Sequence, residues 1–416
     1  MRFLYRFSIL TYRLSIGIAA FMGHEKAKQW IQGRRNSFFK IKQALIPGER
    51  RVWFHCASLG EFEQGRPVIE KFRLAYPDIK IVLTFFSPSG YKVRKNYPGA
   101  DYIFYLPLDT RQNASEFISL VLPEKVFFVK YEYWFHYFEE LRKRSIPNYL
   151  VSAIFRSDQR FFKWYGGFFR KMLSAVSFFF VQDNESAALL NSIGLTNHSV
   201  TGDTRFDRVV EVSQSSKQIP LLEKFKNGNR LLIAGSTWPK DEEVFIPVFS
   251  ELRSLNLRLV IAPHEVNEKR INQLTLSLTA FRVLKFSEAN EQNVMTAEIL
   301  VIDNIGMLSS LYRYGSFAYV GGGFGSGIHN ILEAAVFGLP VVFGPKYEKF
   351  REANELIRLG GAFSIQSPNE MKSVAGNLLN DERKSEAASS VTKQYVMERK
   401  GATDMILEFI RKNKTG

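Results

Sequence analysis

The chain has one cysteine, Cys56, in 416 residues. That excludes a disulfide framework and any cysteine-based metal cage, and it fits a reducing compartment. Histidine is scarce, with 6 residues. None stands at His-x-x-x-His spacing or forms a His/carboxylate pair at ligand spacing, so no structural metal is expected. No Gly-x-Ser-x-Gly elbow occurs, which argues against a hydrolase nucleophile of that type. Low-complexity tracts and internal repeats are missing. Acidic side chains are also in deficit, leaving a formal charge of +15. Such a surface suits nucleic acid, anionic lipid or phosphorylated substrates, and charge alone does not choose among them.

Aromatic residues are plentiful: 37 phenylalanines, many beside Lys or Arg, a mixture that suits a lipid headgroup interface at least as well as it suits stacked bases. The first segment, Phe3 to Met22, is apolar, but Arg6 and Arg13 interrupt it and no small-residue cleavage site follows. Both features count against a secretory signal. Arg2, Arg6 and Arg13 fall on one side of a helix, with Leu4, Phe7, Leu14, Ile18 and Phe21 expected opposite. The pattern favours a helix lying in a membrane interface over a single span or a soluble packing helix. The basic stretch from His24 to Lys42 is consistent with a cytoplasmic flank.

Short apolar runs then alternate with amphipathic stretches. Strand-like runs are Arg51–Ala57, Ile79–Phe85, Lys125–Val129, Asn148–Ser152 and Phe178–Val181. A second series is Leu231–Gly235, Leu257–Ala262, Ile299–Asp303, Phe317–Gly321 and Pro340–Gly344. Strands buried on both faces and separated by helices imply parallel sheets in doubly wound α/β domains. At this length two such domains are expected. We therefore divide the chain into a membrane-associating segment (1–42), a first Rossmann-like domain (43–212), a linker (213–229) and a second Rossmann-like domain (230–416). The last helix is a candidate to pack back on the first domain. Ligands of such sheets bind beyond the carboxyl ends of the strands, so the cleft between the domains is the expected site.

The sharpest motif is the run Val320 to Ala335, in which a strand ends in a turn containing Gly323, Gly325 and Gly327 and a helix is expected near Asn330. Glycines admit close backbone approach, and free N–H groups at a helix start attract phosphate. Glu333 could accept hydrogen bonds from ribose hydroxyls, although Asn330-x-x-Glu333 is also a capping box that needs no ligand. Glu61 follows the first strand in Ser58-Leu59-Gly60-Glu61. A carboxylate at a strand's carboxyl end is placed to act as a base, or it simply supports the first turn of the next helix. Glu132 stands at a second strand end and could serve the same site or pair with Lys130. Arg205 could fork onto an acid or a phosphate, or pair with Asp203 or Asp207. Ser236, Thr237, Pro263 and His264 end two strands of the second domain and could bind a pyrimidine nucleotide; Ser236 or Thr237 could equally cap a helix. Phe161, Phe162, Trp164, Phe168 and Phe169, set among Arg and Lys, fit either core packing or a lipid-docking patch.

Taken together and in order, these residues resemble the Kdo (3-deoxy-D-manno-octulosonate) transferases of glycosyltransferase family 30, inverting enzymes of GT-B fold. Ser58 to Glu61 is similar to Ser-Val-Gly-Glu, whose glutamate is the family's base, which implies that role for Glu61. Glu132 matches a second glutamate that organises the acceptor side. Gly202 to Asp207 is similar to Gly-Asn-x-Lys-Phe-Asp, with Arg205 in place of lysine. Pro263 and His264 fall on Pro-Arg-His, so that His264 replaces an arginine. Gly306, Met307 and Leu308 fall on Gly-Glu-Leu, with Met307 replacing glutamate. Asn330, Ile331, Leu332 and Glu333 correspond to Asn-Pro-Leu-Glu, and Phe343–Gly344–Pro345 with Asn354 and Glu355 continues the pattern.

The resemblance implies CMP-Kdo as donor, a lipid A precursor as acceptor, an anionic membrane as partner, and neither metal, cofactor nor nucleic acid. It implies a place on the cytoplasmic face of the bacterial inner membrane, with the first domain holding the acceptor and the second the nucleotide. Two other classes are compatible with parts of the pattern. A GT-B enzyme using a UDP-sugar on a lipid-linked acceptor would share the glycine turn and Glu333. A non-catalytic basic protein that binds membranes would explain the charge alone.

Overall fold

The computed structural model describes residues 2–413. The chain forms two compact units, one made of residues 1–208 with 400–416 and the other of residues 209–399.

The first unit opens with three helices, α1 (Arg2–Phe21), α2 (Glu25–Arg34) and α3 (Ser37–Ala44). Seven strands follow: β1 (Arg51–Cys56), β2 (Lys80–Phe85), β3 (Tyr102–Tyr105), β4 (Pro123–Val129), β5 (Asn148–Ala153), β6 (Phe178–Val181) and β7 (His198–Val200). They pair in the order β3-β2-β1-β4-β5-β6-β7, every pair parallel. The pleat divides the central strands between two cores. Val52, Phe54 and Cys56 of β1 join one cluster with Phe127 and Val129 of β4. Trp53, Val126 and Phe128 enter the other. A strand buried on both faces has no polar side to alternate with, which is why these runs read as continuous apolar stretches.

The second unit repeats the plan with β8 (Arg230–Thr237), β9 (Leu257–Pro263), β10 (Val283–Lys285), β11 (Ile299–Val301), β12 (Phe317–Val320), β13 (Val341–Phe343) and β14 (Ala362–Ser364). Their order is β10-β11-β9-β8-β12-β13-β14, again parallel. These are the doubly wound sheets expected from the alternation. The runs foreseen as strands fall on ten of the fourteen, and the four that went unforeseen, β3, β7, β10 and β14, are the edge strands of the two sheets. They are mostly half-buried, whereas inner strands of the same length are enclosed, so no buried apolar run marks them in the sequence.

Several expectations meet a different structure. Residues 213–229, expected as a linker, contain helix Pro220–Lys226, whose Leu222 and Phe225 are buried. The last helix, Ala402–Lys412, belongs to the first unit, where Ile406 and Ile410 enter its core. Asp207 holds the start of that helix, its carboxylate accepting from Thr403 N at 2.7 Å and Thr403 Oγ1 at 2.6 Å. The basic side of α1 does not lie opposite its exposed apolar residues. Tyr5 and Ile9 turn inward, and the Tyr5 hydroxyl donates to buried Asp109. Phe3, Phe7, Leu10, Leu14, Ile18 and Phe21 are exposed, and Arg13 lies beside Leu10, Leu14 and Ile18 along one groove. The side chain of Arg2 lies outside the described residues. Among the described residues no helix is long and apolar enough to cross a membrane.

Candidate active site

In an open parallel sheet the strand order reverses at a switch point, and loops there diverge to leave a crevice beyond the carboxyl ends. In the first unit that point lies between β1 and β4, and in the second between β8 and β12. The motifs singled out from the sequence cluster at these two places.

Beyond β1, Ser58 is the N-cap of helix α4 (Leu59–Ala75), its Oγ accepting from Gly60 N at 3.2 Å. Glu61 stands in the first turn and accepts a hydrogen bond from the Ser58 hydroxyl. The modest role is therefore realised: Ser-x-x-Glu forms the start of a helix, whose positive end favours an ionised carboxylate. Capping does not exhaust Glu61, which is only half-buried and keeps a second oxygen.

Beyond β4, Lys130 adopts a left-handed turn (φ 68°) and Glu132 is nearly enclosed, at 7 % exposure. It does not pair with Lys130 in the way a surface glutamate would. Its Oε2 lies 3.0 Å from His55 Nε2 and 2.7 Å from Trp134 Nε1. His55, fully buried in β1, contacts Thr84 Oγ1 through Nδ1 at 2.8 Å, and Trp53 Nε1 donates to the same hydroxyl at 2.7 Å. Trp53 N–H donates to the Thr84 hydroxyl, which also meets His55 Nδ1 and the Phe54 carbonyl (3.5 Å), while His55 Nε2 faces Glu132. His55, Thr84 and Trp134 were missed in the sequence. A histidine inside an otherwise apolar strand was the available signal, since a buried imidazole needs partners.

Glu61 and Glu132 both act on Cys56, whose thiol burial first, and these carboxylates next, push well above its ordinary range. Arg205 joins the same side of the unit. Burial raises the Tyr131 phenol, and the charges of Arg156, Arg205, Glu61 and Asp203 all act on it. Arg205 pairs with Asp203 (2.8 Å) rather than Asp207. Burial pushes the Asp203 carboxyl up, but Arg205 and a hydrogen bond from Gln64 leave it below the usual carboxylate range.

In the second unit, β12 runs into the glycine turn. A Cβ on Gly321 would lie 2.3 Å from Ser236 O, and one on Gly323 would lie 2.6 Å from the backbone of Gly344. Gly322 and Gly327 have φ of 95° and 137°. Those four glycines are required by packing or conformation. Gly325 is not, since its Cβ would meet only Gly322 O at 3.4 Å, and it is exposed. Buried Asp241, also missed, ties the turn to the sheet by accepting from Gly322 N (2.9 Å), Trp238 N (2.9 Å) and the Tyr319 hydroxyl (3.0 Å).

The helix expected near Asn330 begins at Leu332 and is only four residues long. Asn330 Oδ1 accepts from Leu332 N at 3.2 Å and its Nδ2 donates to Glu333 Oε1 at 3.1 Å, with Ile331 buried between them. Glu333 acts on the buried Tyr312, whose hydroxyl lies where a side chain on Gly235 would stand, as does Leu308. Gly306 (φ 95°), Met307 and Leu308 lead into helix Leu308–Leu311 beyond β11. Neither Ser236 nor Thr237 caps a helix: Ser236 has φ 54°, and Thr237 Oγ1 donates to Glu242 at 2.8 Å.

His264, next to buried Pro263, is exposed and stacks against two rings. Trp238 lies 4.7 Å away and His329 4.4 Å away, centroid to centroid. Trp238 Nε1 donates to His329 Nε2 at 3.2 Å. Burial, then the neighbouring His264, lowers His329 to about 4. The aromatic patch after Arg156 resolves differently from either expectation. Phe161 is core, Phe162, Phe168 and Phe169 pack partly buried against the same cluster, and Trp164 alone among the five is fully open at 91 % exposure. Among the described residues no cluster of three or more His, Cys, Asp or Glu side chains could hold a metal ion.

Comparison with known proteins agrees with the motifs. The family model for "3-Deoxy-D-manno-octulosonic-acid transferase (kdotransferase)" matches residues 29–208. The 3-deoxy-D-manno-octulosonic acid transferase of Chlamydophila psittaci is 27% identical over 344 residues, covering 80% of this chain and 79% of that protein. The Haemophilus influenzae transferase of the same name is 25% identical over 379 residues, covering 88% of each. In fold, the chain is similar to a putative UDP-N-acetylglucosamine 2-epimerase from Listeria monocytogenes, with TM-score 0.59 and 15% identity over 88% of this chain and 96% of that one. The Neisseria meningitidis UDP-GlcNAc 2-epimerase gives the same TM-score at 16% identity, over 87% and 100%.

Proposed function

We propose that this chain is a glycosyltransferase of the Kdo transferase family and that it transfers Kdo from CMP-Kdo to a lipid A precursor with inversion. The observation that carries the reading is that Glu61 and Glu132 follow the two strands of the first sheet's switch point and both act on buried Cys56, while Arg205 and Glu61 both act on Tyr131. Glu61 takes the proton of the acceptor hydroxyl as that oxygen bonds to the anomeric carbon of Kdo. The bond from that carbon to the CMP phosphate breaks on the opposite face, and the leaving phosphate keeps the electron pair. A positioned base contributes roughly 10²–10⁴-fold in rate. Glu132, held by His55 and Trp134, binds and orients acceptor hydroxyls through its remaining oxygen.

The donor belongs to the second unit, in this reading. The exposed turn around Gly325 and the backbone near Asn330 receive the phosphates, and Glu333 is set for ribose hydroxyls. Backbone N–H groups fixed in place stabilise the departing charge without a metal ion. His264 carries an imidazole where the family has arginine, so its contact lacks the fixed charge and forked geometry of a guanidinium. The exposed apolar side of α1, with Arg6 and Arg13 at its margin and Trp164 exposed elsewhere on the unit, supports a helix resting on the cytoplasmic face of the bacterial inner membrane.

The test is transfer from CMP-Kdo, generated in situ, to a tetra-acylated lipid A precursor with EDTA present, for wild type and Glu61→Gln. Product from wild type and a loss of at least ~10²-fold in the variant supports donor, base and metal independence together. Equal activity removes Glu61 from the chemistry. No product from either, with UDP rather than CMP competing for the protein, replaces the donor by a UDP-sugar.

A further inference from the structure

Between α1, α2, α3 and the segment following β3 runs a groove of about 860 Å³ lined by Arg13, Trp30, Arg34, Arg35, Phe38 and Phe39, among others. Its base holds an unusual cation. The part-buried Arg34 guanidinium donates to three backbone carbonyls, Leu106 O (3.0 Å), Trp30 O (3.3 Å) and Phe86 O (2.7 Å). It lies over the rings of Trp30 at 3.9 Å and Phe86 at 4.6 Å. A guanidinium has five N–H donors, so these bonds leave two unused. Among the described residues no carboxylate pairs with Arg34, Arg13 or Arg35. A part-buried charge without a counter-ion is costly, and an anion entering the groove would relieve it. The Trp30 indole N–H is a second unmet donor, buried and without an acceptor.

The groove also has an apolar extension. Arg13 and Gly17 line both it and the adjoining channel along α1, whose other walls are Leu10, Leu14, Ile18 and Phe21. Cations at one end and aliphatic side chains at the other match a molecule with an anionic head and an acyl tail. We infer that this groove binds the phosphate of a lipid-linked phosphomonoester, with Arg34, Arg35 and Arg13 on the phosphate and the α1 channel along the tail. The inference rests on the proposed reading of the acceptor as a lipid, and it assigns a phosphate subsite to it. A line of ring contacts connects the subsite with the catalytic carboxylates. Trp30 meets Phe86 at 5.8 Å, Phe86 meets Trp134 at 4.8 Å, and Trp134 donates to Glu132. An acceptor anchored by its phosphate would thus present its sugar on the side where Glu132 is held.

The experiment is equilibrium binding of monomeric dodecyl phosphate to the full-length protein, with dodecyl glucoside as the uncharged control. We expect at least a tenfold preference for the phosphate, lost in Arg34→Gln. Arg34 also braces three carbonyls, so the double variant Arg13→Gln/Arg35→Gln, at exposed positions, carries the test if Arg34→Gln misfolds; it should weaken dodecyl phosphate at least fivefold. Equal binding of the two amphiphiles, or unchanged phosphate binding in the double variant, overturns the inference. So does a double variant that keeps dodecyl phosphate but leaves phosphatidylglycerol vesicles, since the arginines would then serve bulk phospholipid. Neither donor nor turnover enters the measurement, so its outcome is separate from that of the transfer assay.

Discussion

His55 Nε2 lies 3.0 Å from Glu132 Oε2, which makes a fully buried histidine of one strand the support of a carboxylate on its neighbour. The contact crosses the switch point between β1 and β4. It fixes the direction of Glu132, and in the proposed reading such preorganisation would lower the cost of reaching the transition state.

Removing that support should cost rate more than fold. In His55→Leu the buried Glu132 loses one of two donors, a penalty of roughly 1–3 kcal/mol, so kcat should fall by about 10- to 100-fold with a smaller change in KM. His55→Gln places an amide N–H near Nε2 and should restore most of the activity. A KM increase with unchanged kcat, or failure of Gln to rescue, would show that His55 acts only in packing.

The glycine turn separates glycines that packing or conformation requires from Gly325, which neither requires. Gly321→Ala drives a methyl to 2.3 Å from Ser236 O, a backbone atom that cannot step aside, and should destabilise the protein by roughly 1–3 kcal/mol in urea unfolding. Gly325→Ala has room and should leave stability within ~0.5 kcal/mol. Its effect should appear in nucleotide affinity, with CMP binding weakened by calorimetry. Normal CMP affinity in a stable Gly325→Ala protein would move the phosphate elsewhere.

Acid should weaken the second unit through His329. Its folded pKa is lowered to about 4, by burial and then by His264, while the unfolded imidazole titrates near 6.5. Between those values the unfolded chain binds more protons, so stability is lost as pH falls from about 6.5 to about 4. His329→Gln should flatten that part of the profile of unfolding midpoint against pH. An identical slope in the variant would assign the acid sensitivity to other groups.

Asp207 should be a structural residue, although it closes a motif shared with the family. Its carboxylate accepts from the N–H and hydroxyl of Thr403 at the start of the last helix, and loss of such a cap costs ~1–2 kcal/mol. Asp207→Ala should release that helix, seen as faster proteolysis near Lys400, with kcat per folded molecule little changed. Protection equal to wild type would show that Ile406 and Ile410 hold the helix unaided.

The strands that went unseen and the patch that was misjudged share a cause. An edge strand such as β7 buries little, so its sequence carries no long apolar run. The phenylalanines after Arg156 alternate with cations, and local sequence does not say which rings the remaining chain will cover. Phe161 is enclosed because Tyr133, on a different loop, packs on it at 4.8 Å and Phe155 at 6.1 Å. Trp164 meets no such neighbours and stays open.

By itself, then, the sequence determined the doubly wound class, the ten inner strands and the strand ends on which the motifs fall. Each of these follows from local information: periodicity sets a strand, glycine density sets a turn, and motif order marks strand ends. Only the tertiary structure decided which of those residues meet. His55 and Glu132 stand 77 positions apart, and Trp238 and His329 stand 91 apart. Parallel crossovers carry the chain over a helix before its strands lie side by side, so the partners of a buried polar group are set by sheet order, which no local pattern contains.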